Sequence, residues 1–269
     1  EKLHLPVRVP KLGEWENLIE KINIARNLPA GRQVEIAIVG KYFGTGDYQL
    51  RDSYAALFDA IDHASWQIGA SVKTRWIDAE KVEKEGTALI GKPNGIIVPI
   101  GWGVRGAEGM IATAAFARDQ KIPYLGLCYG MQLAVIAFAR DILGWKHANT
   151  TENDPNTPKP VIHLMPSQRE FMERRAYGGT MRLGTWEALV RPDTIAHKAY
   201  EDGNMFLGKK KGLTSERHRH RYEFNDAFAK DFEKRGLVIA ARSAVENLVE
   251  IVELPYDIHP FYIGTQGHP

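Results

Sequence analysis

The sequence holds one cysteine in 269 residues. No disulfide can form within such a chain, and the composition suits a reducing, cytoplasmic setting. No apolar run approaches the roughly eighteen residues of a membrane-spanning helix, and no basic-then-apolar leader opens the chain, so no membrane partner is expected. Excess charge is also scarce. Lys+Arg 35 against Asp+Glu 33 leaves a net charge of +2, which predicts neither nucleic acid nor a membrane surface as a partner. A phosphate loop is missing as well. Gly86 to Pro93, "GTALIGKP", puts Pro93 where a hydroxyl residue is required and precedes a strand instead of following one. Metal-ligand spacing is absent too: His218 and His220 are interleaved with arginines that repel a cation, so no metal is expected. The chain begins with Glu1 and is expected to be a piece of something longer.

What is present alternates. "VEIAIVG" (34–40), "VKTRWID" (72–78), "GIIVPIG" (95–101) and "PYLGLC" (123–128) predict strands, and the third is nearly all apolar, as a strand buried on both faces should be. Between the first two, Tyr54, Leu57, Phe58, Ile61 and Ala64 recur at helical spacing. "AEGMIATAAFARDQ" (107–120) predicts a second helix, and "MQLAVIAFARDIL" (131–143) is apolar on most of its surface, as a buried helix would be. This order predicts an α/β fold, doubly wound around a mostly parallel central sheet. Beyond residue 150 the pattern changes. Pro155, Pro158, Pro160 and Pro166 predict loop. "MRLGTWEALV", "GLVIAARS", "NLVEIVELP" and "FYIGTQ" then predict strands with one helix among them, hence an antiparallel extension of the sheet. Residues 1–33 predict a surface helix and a tether, and residues 34–269 the domain proper.

The single thiol sits in Gly126-Leu127-Cys128-Tyr129-Gly130, G-x-C-x-G between a strand and a helix. That is the thiol counterpart of the nucleophile elbow, which projects its side chain above the carboxyl edge of the sheet, where open α/β folds bind ligands. A helix N-terminus there favours thiolate, and the Tyr129 N–H would face an oxyanion. A buried structural cysteine is the alternative, and the elbow alone does not decide between them. A thiol nucleophile needs a base, normally histidine. Of nine histidines, His268 follows the last predicted strand and would lie at the same edge. "ERHRHRYE" (216–223) reads either as a solvated basic loop or as an anion-binding patch.

The motifs "GKYFGTGDYQLRDSYAALFDAI", "VRGAEGMIATAAFAR", "IPYLGLCYGMQ", "ANTTE", "GGTMRLG", "ERHRHRYE" and the closing "QGHP" together resemble the C-terminal glutamine amidotransferase domain of the CTP synthase family, of the class I (triad) type with a flavodoxin-like glutaminase fold. The resemblance runs over residues 39–269. It implies that Cys128 attacks the carboxamide of L-glutamine to form a γ-glutamyl thioester, with His268 as base. It implies an oxyanion site at the backbone of Gly101 and Tyr129. It implies substrate binding by Gly101, Tyr129, Gly130, Met131, Gln132, Glu152 and Arg219, the last gripping the α-carboxylate with a bidentate guanidinium. No cofactor is implied in this domain. ATP, Mg²⁺ and UTP belong to a synthetase domain that this chain does not contain and that would receive the ammonia. GTP is implied as an effector, with Arg105 and Glu108 as candidates for its coupling. The family is tetrameric largely through the absent domain, so this piece is expected to be a monomer.

Three departures from the family pattern carry expectations. The His-Pro-Glu of the family is His268-Pro269 here, without the glutamate that orients the imidazole, which implies reduced glutaminase activity that an appended glutamate would restore. Pro-Gly-Gly-Phe-Gly is Pro99-Ile100-Gly101-Trp102-Gly103, and Ile100 resists positive φ, so the oxyanion loop is expected to differ. Gly267 replaces a Phe and is expected to loosen packing beside the base. These departures keep a second reading open, a weakly active or non-catalytic glutamine-binding module.

Overall fold

The structure is a computed structural model that describes residues 11–45, 48–168, 173–174, 180–208 and 212–269. In chain order the first part comprises α1 (Gly13–Arg26), β1 (Gln33–Gly40), the hairpin β2 (Gly44–Thr45) and β3 (Tyr48–Gln49), α2 (Ala55–Ile68), β4 (Ser71–Asp78), α3 (Ala79–Glu85), β5 (Gly95–Val98), α4 (Ala107–Asp119), β6 (Tyr124–Leu127) and α5 (Tyr129–Asp141). The second part comprises β7 (Ala148–Thr150), β8 (Lys159–Leu164), β9 (Arg182–Val190), α6 (Ile195–Asp202), β10 (Leu213–His220), β11 (Tyr222–Phe224), α7 (Ala229–Lys234), β12 (Val238–Ser243), β13 (Val249–Glu253) and β14 (Tyr262–Thr265).

Nine strands form one sheet in the order β10-β9-β12-β13-β14-β6-β5-β1-β4. From β4 to β14 all neighbours are parallel, and from β14 to β10 all are antiparallel. The last strand in sequence is therefore the seam between the two halves. The predicted doubly wound core and antiparallel extension are both present. The central parallel strands are buried by apolar side chains, with every residue of Gly95–Val98 enclosed, whereas the edge strand β4 buries only Ile77. Helix α5 buries each residue from Tyr129 to Ala139, because it is covered on both sides by the sheet and by the later strands.

The region after residue 150 is more ordered than its prolines predict. Lys159–Leu164 forms a strand between β7 and β11 in a second, three-stranded sheet. Pro160 is tolerated because an N–H is lost while its carbonyl remains available, and that carbonyl accepts from Asn225 Nδ2 at 2.9 Å. Residues 213–220 form a full strand of the main sheet and not a loop. His218 and His220 face inward while Arg217 and Arg219 face solvent, so the charged run conceals a period of two. The first two glycines of "GGTMRLG" and residues 1–10 lie outside the described residues. Among the described residues, no helix is long and apolar enough to cross a membrane.

Candidate active site

Strands β6 and β14 are parallel neighbours, with Leu127 opposite Thr265. The chain leaving β6 becomes Cys128, and the chain leaving β14 becomes Gln266, Gly267 and His268, so the thiol and the imidazole emerge at one edge. Cys128 takes φ of 51°, a region costly for a side chain with a β-carbon, and it precedes α5 directly. Its N–H is tied to Thr265 O at 2.7 Å. The turn closes because Gly130 has no side chain: a β-carbon there would lie 2.0 Å from Val98 O. This is the elbow expected from G-x-C-x-G.

The thiol itself is not open as the elbow motif suggests. Cys128 is only 4% exposed. Burial pushes its pKa up to about 12, although the Tyr129 backbone N–H and the Gln266 amide both pull the other way. The helix N-terminus is thus outweighed by desolvation in this closed state. His268 is half-buried, and burial, with Arg219 and Arg217 nearby, lowers its pKa to about 4, so the ring is neutral. Its backbone N–H donates to Arg217 O at 2.8 Å, which ties the end of β14 to β10. Among the described residues the Nε2 atom of His268 has no hydrogen-bond partner, and the thiol is bonded instead to Gln266 Nε2 at 3.3 Å. A cavity of about 220 Å³ borders His268 with Tyr54, Pro99, Ile100 and Leu127 on its wall.

The loop after β5 arches over the elbow. Gly101 is buried, and a β-carbon on it would lie 3.1 Å from the Tyr129 ring. Ile100 keeps a negative φ and packs into the apolar cluster around Phe58, so the loop turns at Gly103 (φ 69) and Gly106 (φ 68) instead. The Gly103 N–H donates to Glu152 Oε1 at 3.0 Å, and Tyr129 Oη donates to Gly103 O at 2.8 Å. Glu152 is largely buried, which raises its pKa. Lys41, which the motif reading did not single out, completes this knot. Its Nζ donates to Gly103 O at 2.7 Å and Arg105 O at 2.9 Å and lies over the Tyr129 ring.

The remaining predicted residues separate into two groups. Arg219 is exposed on β10 with its guanidinium 5.5 Å from the Trp102 ring, at the lip of the site. Gln132 is buried and gives its amide to Tyr222 O and Gln266 Oε1. Met131 sends its side chain into the core against Gly264, leaving only its backbone near the elbow. Arg105 pairs with Glu80 and donates to Lys41 O, whereas Glu108 pairs with Arg140. Those two do not share a site. Gly267 leaves no gap beside the base, because Glu216 fills that space: a β-carbon on the glycine would lie 3.0 Å from Glu216 Cβ. A bulky residue there would displace Glu216, which accepts from Tyr200 Oη at 2.7 Å. Behind the edge, Arg182 pairs with Glu250 at 2.8 Å and lies against His218 and His220, both buried and held neutral.

Comparisons with known proteins show the family. A model of the class-I glutamine amidotransferase family matches residues 49–269. The CTP synthase of Pelotomaculum thermopropionicum is 42% identical over 270 residues, covering 100% of this chain and 46% of that protein. That of Caldanaerobacter subterraneus subsp. tengcongensis is 45% identical, with 100% of this chain and 46% of that protein covered. The chain spans about half the length of the curated relatives it matches. Among solved structures, the CTPS glutaminase domain of Trypanosoma brucei with bound acivicin superposes with a TM-score of 0.74 at 33% identity, over 88% of this chain and 86% of that one. A glutamine amidotransferase from Thermotoga maritima, at 11% identity and a TM-score of 0.50 over 87% of this chain and 75% of that one, shares the fold alone. The chain therefore belongs to the class-I glutamine amidotransferases, as a glutaminase domain of the CTP synthase family.

Proposed function

We propose that this domain hydrolyses L-glutamine and supplies the ammonia to a synthetase domain for amination of UTP to CTP. The observation that carries the reading is the pair of adjacent parallel strands that deliver a strained cysteine and a neutral histidine to one edge. Cys128 Sγ attacks the side-chain carbonyl carbon of glutamine as His268 takes the thiol proton. The carbonyl oxygen becomes an oxyanion held by the N–H groups of Gly101 and Tyr129. Collapse breaks the C–N bond, His268 returns the proton to the departing ammonia, and a γ-glutamyl thioester remains. Water then adds to the thioester carbon, glutamate leaves and the thiol is restored. A neutral imidazole is the form this base needs at the outset.

Recognition follows from charge. A free amino acid presents one cation and one anion. Glu152 meets the ammonium and Arg219 the carboxylate, with Gln132 and the backbone of Gly130 and Met131 lining the space between them. Substrate reaches the sulfur once the lip formed by Trp102 and Arg219 parts, because the thiol is enclosed in the described state. GTP is coupled through Arg105, whose carbonyl Lys41 holds, by a shift of the loop that Lys41 and Glu152 fix, while Glu108, paired with Arg140, lies apart from that contact.

Acivicin is bound in the Trypanosoma brucei domain. The corresponding test here uses a chloro-ketone analogue of glutamine. It is expected to add one mass to Cys128, and Cys128→Ala is expected to lose both labelling and ammonia release. Absence of labelling in the folded wild-type domain would overturn the proposal. Labelling without turnover would favour the glutamine-binding module instead.

A further inference from the structure

Gln266 is completely buried and lies two residues before His268. Its Nε2 is 3.3 Å from Cys128 Sγ, and its Oε1 is 3.1 Å from Gln132 Nε2. Gln132 Nε2 is also 2.9 Å from the carbonyl oxygen of Tyr222. These contacts form a row: Tyr222 carbonyl, Gln132, Gln266, sulfur.

The direction of that row is fixed by its far end. A backbone carbonyl can only accept, so the group of Gln132 facing it must be the NH₂. The second hydrogen of that NH₂ points at Gln266, which must answer with its carbonyl oxygen. Gln266 then has only its own NH₂ left to present to Cys128. His220 supports the same polarity, because its Nδ1 lies 2.9 Å from the same carbonyl and must also donate. A side chain that could have turned either way is thus held as a donor toward the sulfur.

The geometry points to Gln266 as a further catalytic residue of the glutaminase reading, on which this inference rests: its amide donates to Sγ and favours the thiolate, and Gln132 keeps it from turning over. A donor stabilises a thiolate far more than a thiol, since the ionised sulfur is the stronger acceptor. The donor also occupies one side of the sulfur, so the thiol proton is left for the base. The family motif assigns the nucleophile, the base and the oxyanion donors, and none of those roles covers this contact.

The test reads the sulfur directly, because Cys128 is the only cysteine. Iodoacetamide alkylates thiolate: the S–C bond forms, the C–I bond breaks and iodide leaves. Its rate is followed from pH 6 to 10 by intact mass on the folded domain, for wild type, Gln266→Met and Gln132→Leu. Glu152 acts on the Cys128 charge, Lys41 lies over the Tyr129 ring, His268 follows Gln266 by two residues, the Gln266 N–H donates to the Glu250 carbonyl, and His220 shares the Tyr222 carbonyl with Gln132. All five are unchanged in both variants. Gln266→Met keeps length and removes the donor. Its profile is expected to move to higher pH, with the rate at pH 8 lower by roughly tenfold. Gln132→Leu frees Gln266 to turn and is expected to slow alkylation by a smaller factor. An equal or faster rate in Gln266→Met, with a wild-type melting temperature, would show that Gln266 only shields the sulfur and would overturn the inference. If Gln266→Met does not fold, an equal or faster rate in Gln132→Leu overturns it. Glutamine is absent from this assay. Failure of the chloro-ketone to label wild type, with the iodoacetamide profiles as expected, would therefore count against the glutaminase reading alone.

Discussion

Strands β1, β5 and β6 bury only apolar side chains and glycine, whereas β9, β10 and β13 bury Arg182, His218, His220, Glu250 and Glu253. The two halves of one sheet are held by different physics. The parallel half is fixed by close packing and supplies the proposed nucleophile. The antiparallel half adds a buried, compensated charge network to its apolar contacts and supplies the residue proposed to read the substrate's carboxylate. β14, between them, leads to the proposed base. Close packing sets a position to within a few tenths of an ångström and tolerates no insertion. A charged network tolerates replacement as a set but not the loss of one member.

The contrast can be broken first in the parallel half. Gly130→Ala places a methyl group 2.0 Å from the Val98 carbonyl, in the middle of the sheet. The expected outcome is loss of more than about 4 kcal/mol, seen as an absent or strongly lowered urea transition.

The antiparallel half should behave differently. Arg182→Met strands Glu250, whose pKa burial already raises to about 7. A loss of about 3 kcal/mol is expected at pH 8. The loss should shrink toward pH 6, where the carboxyl can stay protonated. Arg182→Met with Glu250→Leu should recover most of it, which urea unfolding at the two pH values would measure. Two large single losses with no recovery would mean that both halves rest on packing.

The smallest effect concerns the seam. The His268 pKa is lowered to about 4 from an ordinary 6.5, so between those values the unfolded chain binds the proton and the folded chain does not. Its contribution to stability therefore rises as pH rises through that window. Glu250 works in the opposite direction: its carboxyl keeps a proton that the unfolded chain sheds above 4.5, so its contribution falls as pH rises toward 7. In an NMR titration the His268 ring should remain neutral down to about pH 4. Arg217→Gln, which removes one repelling charge, should move that titration up by a fraction of a unit.

The same contrast explains what the sequence reveals. The parallel half is legible because its central strands β1, β5 and β6 are largely apolar runs, and G-x-C-x-G places Cys128 between a strand and a helix. The antiparallel half hides its pattern. In "ERHRHRYE" both faces of β10 are charged or polar, so alternation of burial leaves no alternation of hydropathy. β8 is masked by Pro160, and α6 is only eight residues long. In the site, Cys128 and His268 follow from motif and order. The enclosure of the thiol does not, because it depends on segments far apart in sequence meeting, as Thr265 and Gln266 meet the Cys128 backbone and sulfur. Gln266 gives a sign in sequence only through its place two residues before the base, and Lys41 only through its place just after β1.

The position of β14 has a consequence for how the molecule is assembled on the ribosome. Among the described residues it follows every other strand, and it lies in the interior of the nine-stranded sheet, parallel to β6 and antiparallel to β13. Synthesis therefore delivers the other described strands before the one that joins the two sides. Until residues 262–265 clear the exit tunnel, β6 and β13 each expose an unpaired edge, so the nascent domain should need protection by chaperones until its final strand arrives.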